Sequence, residues 1–166
     1  MLKAAFVSLC LLLSVEGAST PRPLADVTVP VPNAKPIRLT QYRGKVMVVV
    51  LISVTCDHCA ASLKMLDQVQ KEYGSRGLQV FAIAADTNAE KMLTVLKVKQ
   101  EFPVGTLDQP TTMQVFDFKP TDHPFVPMFI FVDKKGTVRF QYAGKDDFFK
   151  AEEKNTRLLI DALLKE

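Results

Sequence analysis

The stretch that decides the fold, residues 46–59, reads VMVVVLISVTCDHC. Its first seven residues form an unbroken apolar run rich in β-branched side chains, which predicts a strand buried on both faces. The stretch ends in Cys56 and Cys59, a pair of cysteines with two residues between them. From Ala60 to Tyr73 apolar side chains recur at helical spacing, so we predict that a helix follows the cysteines directly.

The position of Cys56 just before a helix indicates a reactive thiol. Unpaired backbone N–H groups and the helix dipole at that end favour an anion, and a thiolate is such an anion. Cys59 lies one turn further along and is placed to resolve a mixed disulfide. A Cys-x-x-Cys pair also supplies half of a zinc site, but after a buried strand and at a helix start the pattern favours redox chemistry.

Length and composition indicate one globular domain. The chain has 166 residues, of which 48% are hydrophobic and 23% charged, enough to bury a sizeable core. Its formal charge is +3, from 21 basic and 18 acidic residues. Such a mild excess, without a basic stripe, argues against a nucleic-acid partner.

The first 18 residues are typical of a secretory signal peptide. A basic start at Lys3 precedes an apolar run from Ala4 to Val15, and small residues follow from Gly17 to Ser19. The run is too short for a membrane span, which needs about 20 residues, so an uncleaved anchor is the weaker alternative. We therefore expect an exported protein, periplasmic or otherwise extracytoplasmic, without stable membrane insertion after cleavage. No function is assigned to Cys10.

Removal of that leader leaves Cys56 and Cys59 as the cysteines of the mature chain. A secreted domain with one closely spaced pair has no disulfide framework, and the pair closes too small a loop to restrain the unfolded chain. The pair is therefore better explained by a redox role than by a structural one.

The rest of the chain predicts alternating strands and helices. A strand at Leu78–Ala85 follows the helix behind the cysteines, which implies a right-handed parallel crossover. Residues 19–36 are rich in proline and should form an extended lead-in, and residues 37–166 the domain. The further predicted elements are strands at Val27–Val29, Ile37–Leu39 and Phe102–Val104, helices at Ala89–Gln100, Thr111–Phe116 and Asp146–Leu164, and a hairpin of Met128–Val132 with Thr137–Tyr142.

Four features, taken in order and spacing, resemble the thioredoxin-like superfamily. They are the turn RGKV at 43–46, the cysteine pair, Val126-Pro127, and VDKKG at 132–136. The pattern covers Ile37 to Leu164 and is most similar to TlpA/ResA-like thiol-disulfide oxidoreductases and the wider redoxin (AhpC/TSA-like) group. The resemblance implies an α/β thioredoxin-like fold, with a central mixed sheet flanked by helices and a short N-terminal β extension.

The same resemblance assigns substrate binding to Val126 and Pro127. It implies that Pro127 has a cis peptide bond and lies beside the cysteines. A cis proline leaves the preceding residue free to offer backbone groups to an extended substrate and removes an N–H near the sulfurs. A plain proline at the start of a strand is the alternative.

The chain departs from that family at several positions. Thr55 stands where an aromatic residue often precedes the first cysteine, and Ser62 and Lys64 stand where an acid and a proline often follow the second. The strand at 46–52 holds no carboxylate either. The usual proton acceptor is therefore missing from the strand.

Asp57 and His58, between the cysteines, are expected to tune the redox character of the pair. A histidine can stabilise the Cys56 thiolate, whereas a neighbouring carboxylate opposes it. The alternative is that both are solvated residues of a helix start, with Asp57 capping the first turn. Asp86, after the strand at 78–85, is better explained as a helix cap than as a ligand-binding residue. His123 is expected to be a solvated loop residue.

Three functions are compatible with these residues. The first is dithiol–disulfide exchange with protein thiols and disulfides. We expect a monomer that needs no cofactor but depends on an upstream redox donor or acceptor. The second is a thiol peroxidase with Cys56 as peroxidatic cysteine, since Ser53 places a hydroxyl three residues before it, although the proline of the peroxidatic motif is absent. The third is a copper-binding or copper-delivery module using the two thiols with His58 or His123.

Overall fold

The computed structural model describes residues 19–86, 88, 100–122 and 125–166. Three sequence predictions lie outside these residues. They concern the leader at 1–18, residues 89–99 of the helix predicted at 89–100, and His123. The described helices and strands are β1 Arg22–Pro23, β2 Thr28–Val29, β3 Ile37–Arg38, β4 Val46–Ile52, α1 Asp57–Tyr73, β5 Leu78–Ala84, β6 Val104–Thr106, α2 Gln109–Phe116, β7 Met128–Val132, β8 Thr137–Ala143 and α3 Glu152–Lys165. Within these ranges no helix combines the length and apolar character needed to cross a bilayer.

Six strands form one mixed sheet in the order β1-β8-β7-β4-β5-β6. The strand β4 lies inside it, parallel to β5 and antiparallel to β7. The pair β5–β6 is parallel, whereas β7–β8 and β8–β1 are antiparallel. The strands β2 and β3 form a separate two-stranded ribbon. This arrangement confirms the predicted thioredoxin-like fold with a mixed central sheet and a short N-terminal β extension.

Alternate residues of β4 contribute to two hydrophobic cores, one on each face of the sheet. Val48 and Val50 belong to a core that also contains Leu66 of α1 and Ile160 of α3. The core on the opposite face includes side chains from β4, α2 and the N-terminal segment, namely Met47, Val49, Leu51, Val115, Phe116, Leu24, Val27 and Val29. All seven residues of β4 are buried because both faces of the sheet are covered, which explains the continuous apolar run.

Several predicted boundaries are corrected by the structure. The helix behind the cysteines begins at Asp57 and not at Ala60, because Cys56 caps its first turn. The strand predicted at 102–104 lies instead at Val104–Thr106, since Pro103 cannot donate to the ladder. The helix predicted over 146–164 is divided into a 3-10 turn at Asp147–Ala151 and α3. In that turn Phe148 is buried and stacks on Tyr142, with ring centroids 4.4 Å apart.

The proline-rich lead-in contributes to the sheet and to its core. Its β1 pairs with β8, and Val29 is fully buried. The lead-in also packs directly on β6, where the Thr106 N–H donates to the Pro30 carbonyl at 2.9 Å. A Cβ at Gly105 would lie 2.6 Å from that carbonyl oxygen, so this close approach requires glycine.

Candidate active site

The two thiols of the Cys-x-x-Cys motif differ in exposure. Cys56 is half-buried and caps α1, whereas the Cys59 side chain, within the first turn, is 1% exposed. The Cys59 N–H donates to the Cys56 sulfur at 3.1 Å, which satisfies one of the unpaired N–H groups at the start of the helix. Both cysteines are free thiols. Cys56 is therefore the sulfur that an incoming molecule can reach.

The environment of Cys59 opposes its ionisation. Burial raises the pKa of the Cys59 thiol to about 12, and the hydrogen bond with Cys56 and the negative charge of Asp86 act in the same direction. The backbone of Ser53 partly opposes this shift in pKa. At neutral pH Cys59 therefore holds its proton in the reduced protein.

The loop that carries Cys56 is fastened to the end of the neighbouring strand by Asp86. One carboxylate oxygen accepts from the Ser53 hydroxyl at 2.7 Å, and the other accepts from the Val54 N–H at 2.9 Å. The parallel register of β4 and β5, with Ile52 beside Ala84, places the carboxylate there. Sequence reasoning missed these contacts and considered Asp86 mainly as a helix cap. The available signal was an acidic residue directly after a strand parallel to the one that leads into the cysteines.

The Val126-Pro127 segment lies at the same end of β4. The antiparallel pairing of Leu51 with Met128 brings the residues before Met128 beside those after Leu51. The peptide bond between Val126 and Pro127 is cis, as the resemblance implied. The loop after β8 supports this segment, because the Gly144 N–H donates to the Phe125 carbonyl at 2.8 Å.

The contacts of His58 connect α1 with α3. Its Nε2 lies 3.0 Å from a carboxylate oxygen of Glu152, and its ring packs edge-on against Phe149 with centroids 5.4 Å apart. Asp57, in the first turn of α1, is exposed. Glu152 was not predicted, because no local pattern connects the first residue of the terminal helix with the cysteine motif. The influence of Asp57 and His58 on the thiols stays a prediction.

No group of three or more His, Cys, Asp and Glu side chains that could hold a metal ion occurs among the described residues. His123, one of the two histidines considered as copper ligands, lies outside them. A copper site therefore stays a prediction from the sequence alone.

Comparison with known proteins identifies the family. Residues 21–141 match the model of the AhpC/TSA family. The chain belongs to the AhpC/TSA family. A curated relative, the chloroplastic phospholipid hydroperoxide glutathione peroxidase 1 of Arabidopsis thaliana, is 24% identical over 162 residues, which cover 86% of this chain and 69% of the relative. Membership of this family confirms the prediction of a thioredoxin-like thiol oxidoreductase.

Solved structures confirm the fold. A protein described as the thiol:disulfide interchange protein DsbE from Chlorobium tepidum superposes with a TM-score of 0.74 at 22% identity, covering 89% of this chain and 99% of that one. A thiol:disulfide interchange protein of the thioredoxin family from Chlorobium tepidum TLS gives a TM-score of 0.68 at 19% identity, covering 88% and 98%. At these identities the likeness concerns the fold of this AhpC/TSA protein.

Proposed function

We propose that this AhpC/TSA protein exchanges its Cys56–Cys59 dithiol with disulfides of protein partners outside the cytoplasm. The observation that carries the proposal is the asymmetry of the pair, since a half-exposed thiol caps a helix and a buried thiol one turn later keeps its proton. This difference in access makes Cys56 the sulfur that attacks a partner disulfide and leaves Cys59 to resolve the mixed disulfide once it loses its proton. The names of the structural neighbours agree with this reaction.

The exchange proceeds in two balanced steps. The Cys56 thiolate attacks one sulfur of the partner disulfide, a new S–S bond forms, and the other partner sulfur leaves as a thiolate. Cys59 then attacks the Cys56 sulfur, which releases the second partner sulfur and leaves the Cys56–Cys59 disulfide. Two electrons have passed from the protein to the partner, and the oxidising direction is the reverse.

Resolution requires Cys59 to lose its proton. Asp86 is the carboxylate whose charge acts on Cys59, and it is fixed beside the cysteine loop through Ser53 and Val54. We infer that Asp86 takes the place of the proton acceptor that β4 lacks. Val126, at the same end of β4, is placed to align the partner chain beside Cys56.

A trapping experiment tests this function. The reduced Cys59→Ser variant should form a stable mixed disulfide through Cys56 with a disulfide-containing protein substrate such as insulin, because no second thiol can release it. The Cys56→Ser variant is the matched control and should trap nothing, since its remaining thiol is buried. Mass spectrometry of the adduct identifies the sulfur. If Cys59→Ser forms no mixed disulfide while wild type also leaves the substrate oxidised, the proposal is wrong.

A thiol peroxidase is the second candidate, and two observations favour it. One curated relative is named as a glutathione peroxidase. In addition, the hydroxyls of Ser53 and Thr55, 3.1 Å apart, lie in the loop before Cys56, where a peroxide oxygen could be bound. Hydrogen peroxide supplied with dithiothreitol decides between the two. Peroxide consumption that depends on Cys56 and exceeds the rate of disulfide exchange would favour the peroxidase.

The extracytoplasmic location is supported by the sequence of residues 1–18. Expression of the full chain and mass spectrometry of its N-terminus tests this part. A mature chain that begins between residues 18 and 20 and is recovered outside the cytoplasm is the expected result. Retention of Met1 in a cytoplasmic product would contradict it.

A further inference from the structure

A cavity of about 500 Å³ opens beside the cysteine loop, at the carboxyl ends of β4, β5 and β6. Ser53 and Val126 line it, so it is continuous with the proposed exchange site. Apolar surface from Leu51, Leu107 and Phe118 lines it as well. A volume of this size is within the range of roughly 300–1,000 Å³ that is usual for ligand pockets, and it can accept side chains of an extended segment.

Carboxylates line the same cavity. Asp86, Asp108 and Asp122 all contribute to it, and none of the described lining residues is a lysine or an arginine. A second cavity of about 430 Å³ shares Asp86, Leu107 and Asp108 with it, which extends the acidic surface away from the cysteines. We refer to the two cavities together as the acidic groove. It contrasts with the net charge of the chain, which is +3.

These carboxylates are held in place by hydrogen bonds. Asp108 caps α2 by accepting from the Thr111 N–H at 2.9 Å, and hydrogen bonds from Thr111 lower the pKa of Asp108. Asp122 accepts from the Lys119 N–H at 2.7 Å. A rigid negative rim over an apolar floor is complementary to an apolar side chain next to a cationic one.

We propose that the acidic groove binds the segment of a partner protein that carries the exchanging cysteine, and that it selects segments in which an apolar residue and basic residues flank that cysteine. The inference rests on the proposed exchange function and adds the substrate class. A chain aligned along Val126 in extended conformation directs alternate side chains to the same side. One such side chain enters the groove while the neighbouring sulfur faces Cys56.

The test uses three nine-residue peptides whose single cysteine forms a disulfide with 2-mercaptoethanol. The first has leucine and two lysines beside the cysteine, the second leucine and two glutamates, and the third glycine and two lysines. Reduced wild-type protein is mixed with each peptide, and the second-order rate of thiol release is divided by the rate with free dithiothreitol. This division removes the effect of the flanking charges on the intrinsic reactivity of the disulfide.

The leucine–lysine peptide should react about fivefold faster than the glutamate peptide at low salt, since exposed ion pairs are individually weak. Salt at about 1 M should abolish most of that difference. The glycine peptide should react more slowly than its leucine counterpart. The double variant Asp108→Asn and Asp122→Asn should lose about threefold with the lysine peptide alone, because asparagine keeps the turn and cap hydrogen bonds.

Glu153→Gln is the matched control, because it removes one exposed carboxylate from α3, away from the groove. It should leave all three rates unchanged. Equal normalised rates for the lysine and glutamate peptides, or a double variant identical to wild type, would overturn the acidic groove while the exchange function stands. If wild type reduces none of the peptides, the exchange function fails and this inference fails with it.

Discussion

Raising the pH should destabilise the reduced protein through Cys59. Burial raises the pKa of this thiol from its ordinary value of 9.0 to about 12 in the folded state. Between these two values the unfolded chain loses the Cys59 proton while the folded chain keeps it. Folding therefore takes up a proton in this range, and stability falls as the pH rises. The contribution is fully present below about pH 9 and is lost progressively up to about pH 12.

The size of the effect follows from the linkage relation. Each pH unit between the two pKa values costs about 1.4 kcal/mol for one group, so the step from pH 9 to pH 11 costs about 2–3 kcal/mol. That is a large share of a typical stability of about 5–15 kcal/mol. The loss should be visible as a lower urea midpoint of the reduced protein.

The assay compares wild type with the Cys59→Ala variant by urea unfolding under a phosphine reductant at pH 8, 9, 10 and 11. Other groups titrate in both proteins, including Tyr142, whose pKa is also raised by burial. The difference in the free energy of unfolding between the two proteins isolates Cys59. From pH 9 to pH 11 wild type should lose about 2–3 kcal/mol more than the variant. Cys56→Ala removes a hydrogen bond and a charge that also raise the pKa of Cys59, so it should reduce this slope without abolishing it. Parallel pH curves for wild type and Cys59→Ala would refute the reasoning.

Two further predictions concern glycines that lie against backbone. Gly105→Ala places a methyl group 2.6 Å from the Pro30 carbonyl oxygen, so it should lower the free energy of unfolding by about 1–3 kcal/mol, measured by urea unfolding; an unchanged midpoint would contradict the close approach. Gly144→Ala places a methyl group 2.9 Å from the Val126 carbonyl oxygen and should slow exchange with a protein disulfide.

The sequence predicted those parts of the fold whose signals are local. The apolar run that begins at Val46 and leads to the cysteines predicted β4, because a strand covered on both faces needs no polar side chain. The cysteine pair, α1 behind it and the proline at 127 followed from short motifs. The sequence also showed one departure from the family pattern directly, because β4 carries no carboxylate.

The parts that could not be predicted depend on residues distant in the chain. The strand β1 has only two residues and is stabilised by its pairing with β8, so no local periodicity in the sequence predicts it. The hydrogen bond between Ser53 and Asp86 joins residues 33 positions apart. Its formation depends on the parallel register of β4 and β5. The approach of His58 to Glu152 likewise requires α1 and α3 to pack on the same face of the sheet.

These distant contacts bring a carboxylate to the cysteine loop although β4 itself carries none. A carboxylate on β4 would interrupt a strand that both cores bury, whereas the end of β5 is half-exposed and tolerates Asp86. From there the carboxylate reaches the cysteine loop through Ser53 and Val54 and acts on Cys59 by its charge. The same residue lines the acidic groove. A single side chain therefore acts on the ionisation of the buried thiol and also lines the acidic groove, so a cation bound beside Asp86 would weaken the negative charge that raises the pKa of Cys59.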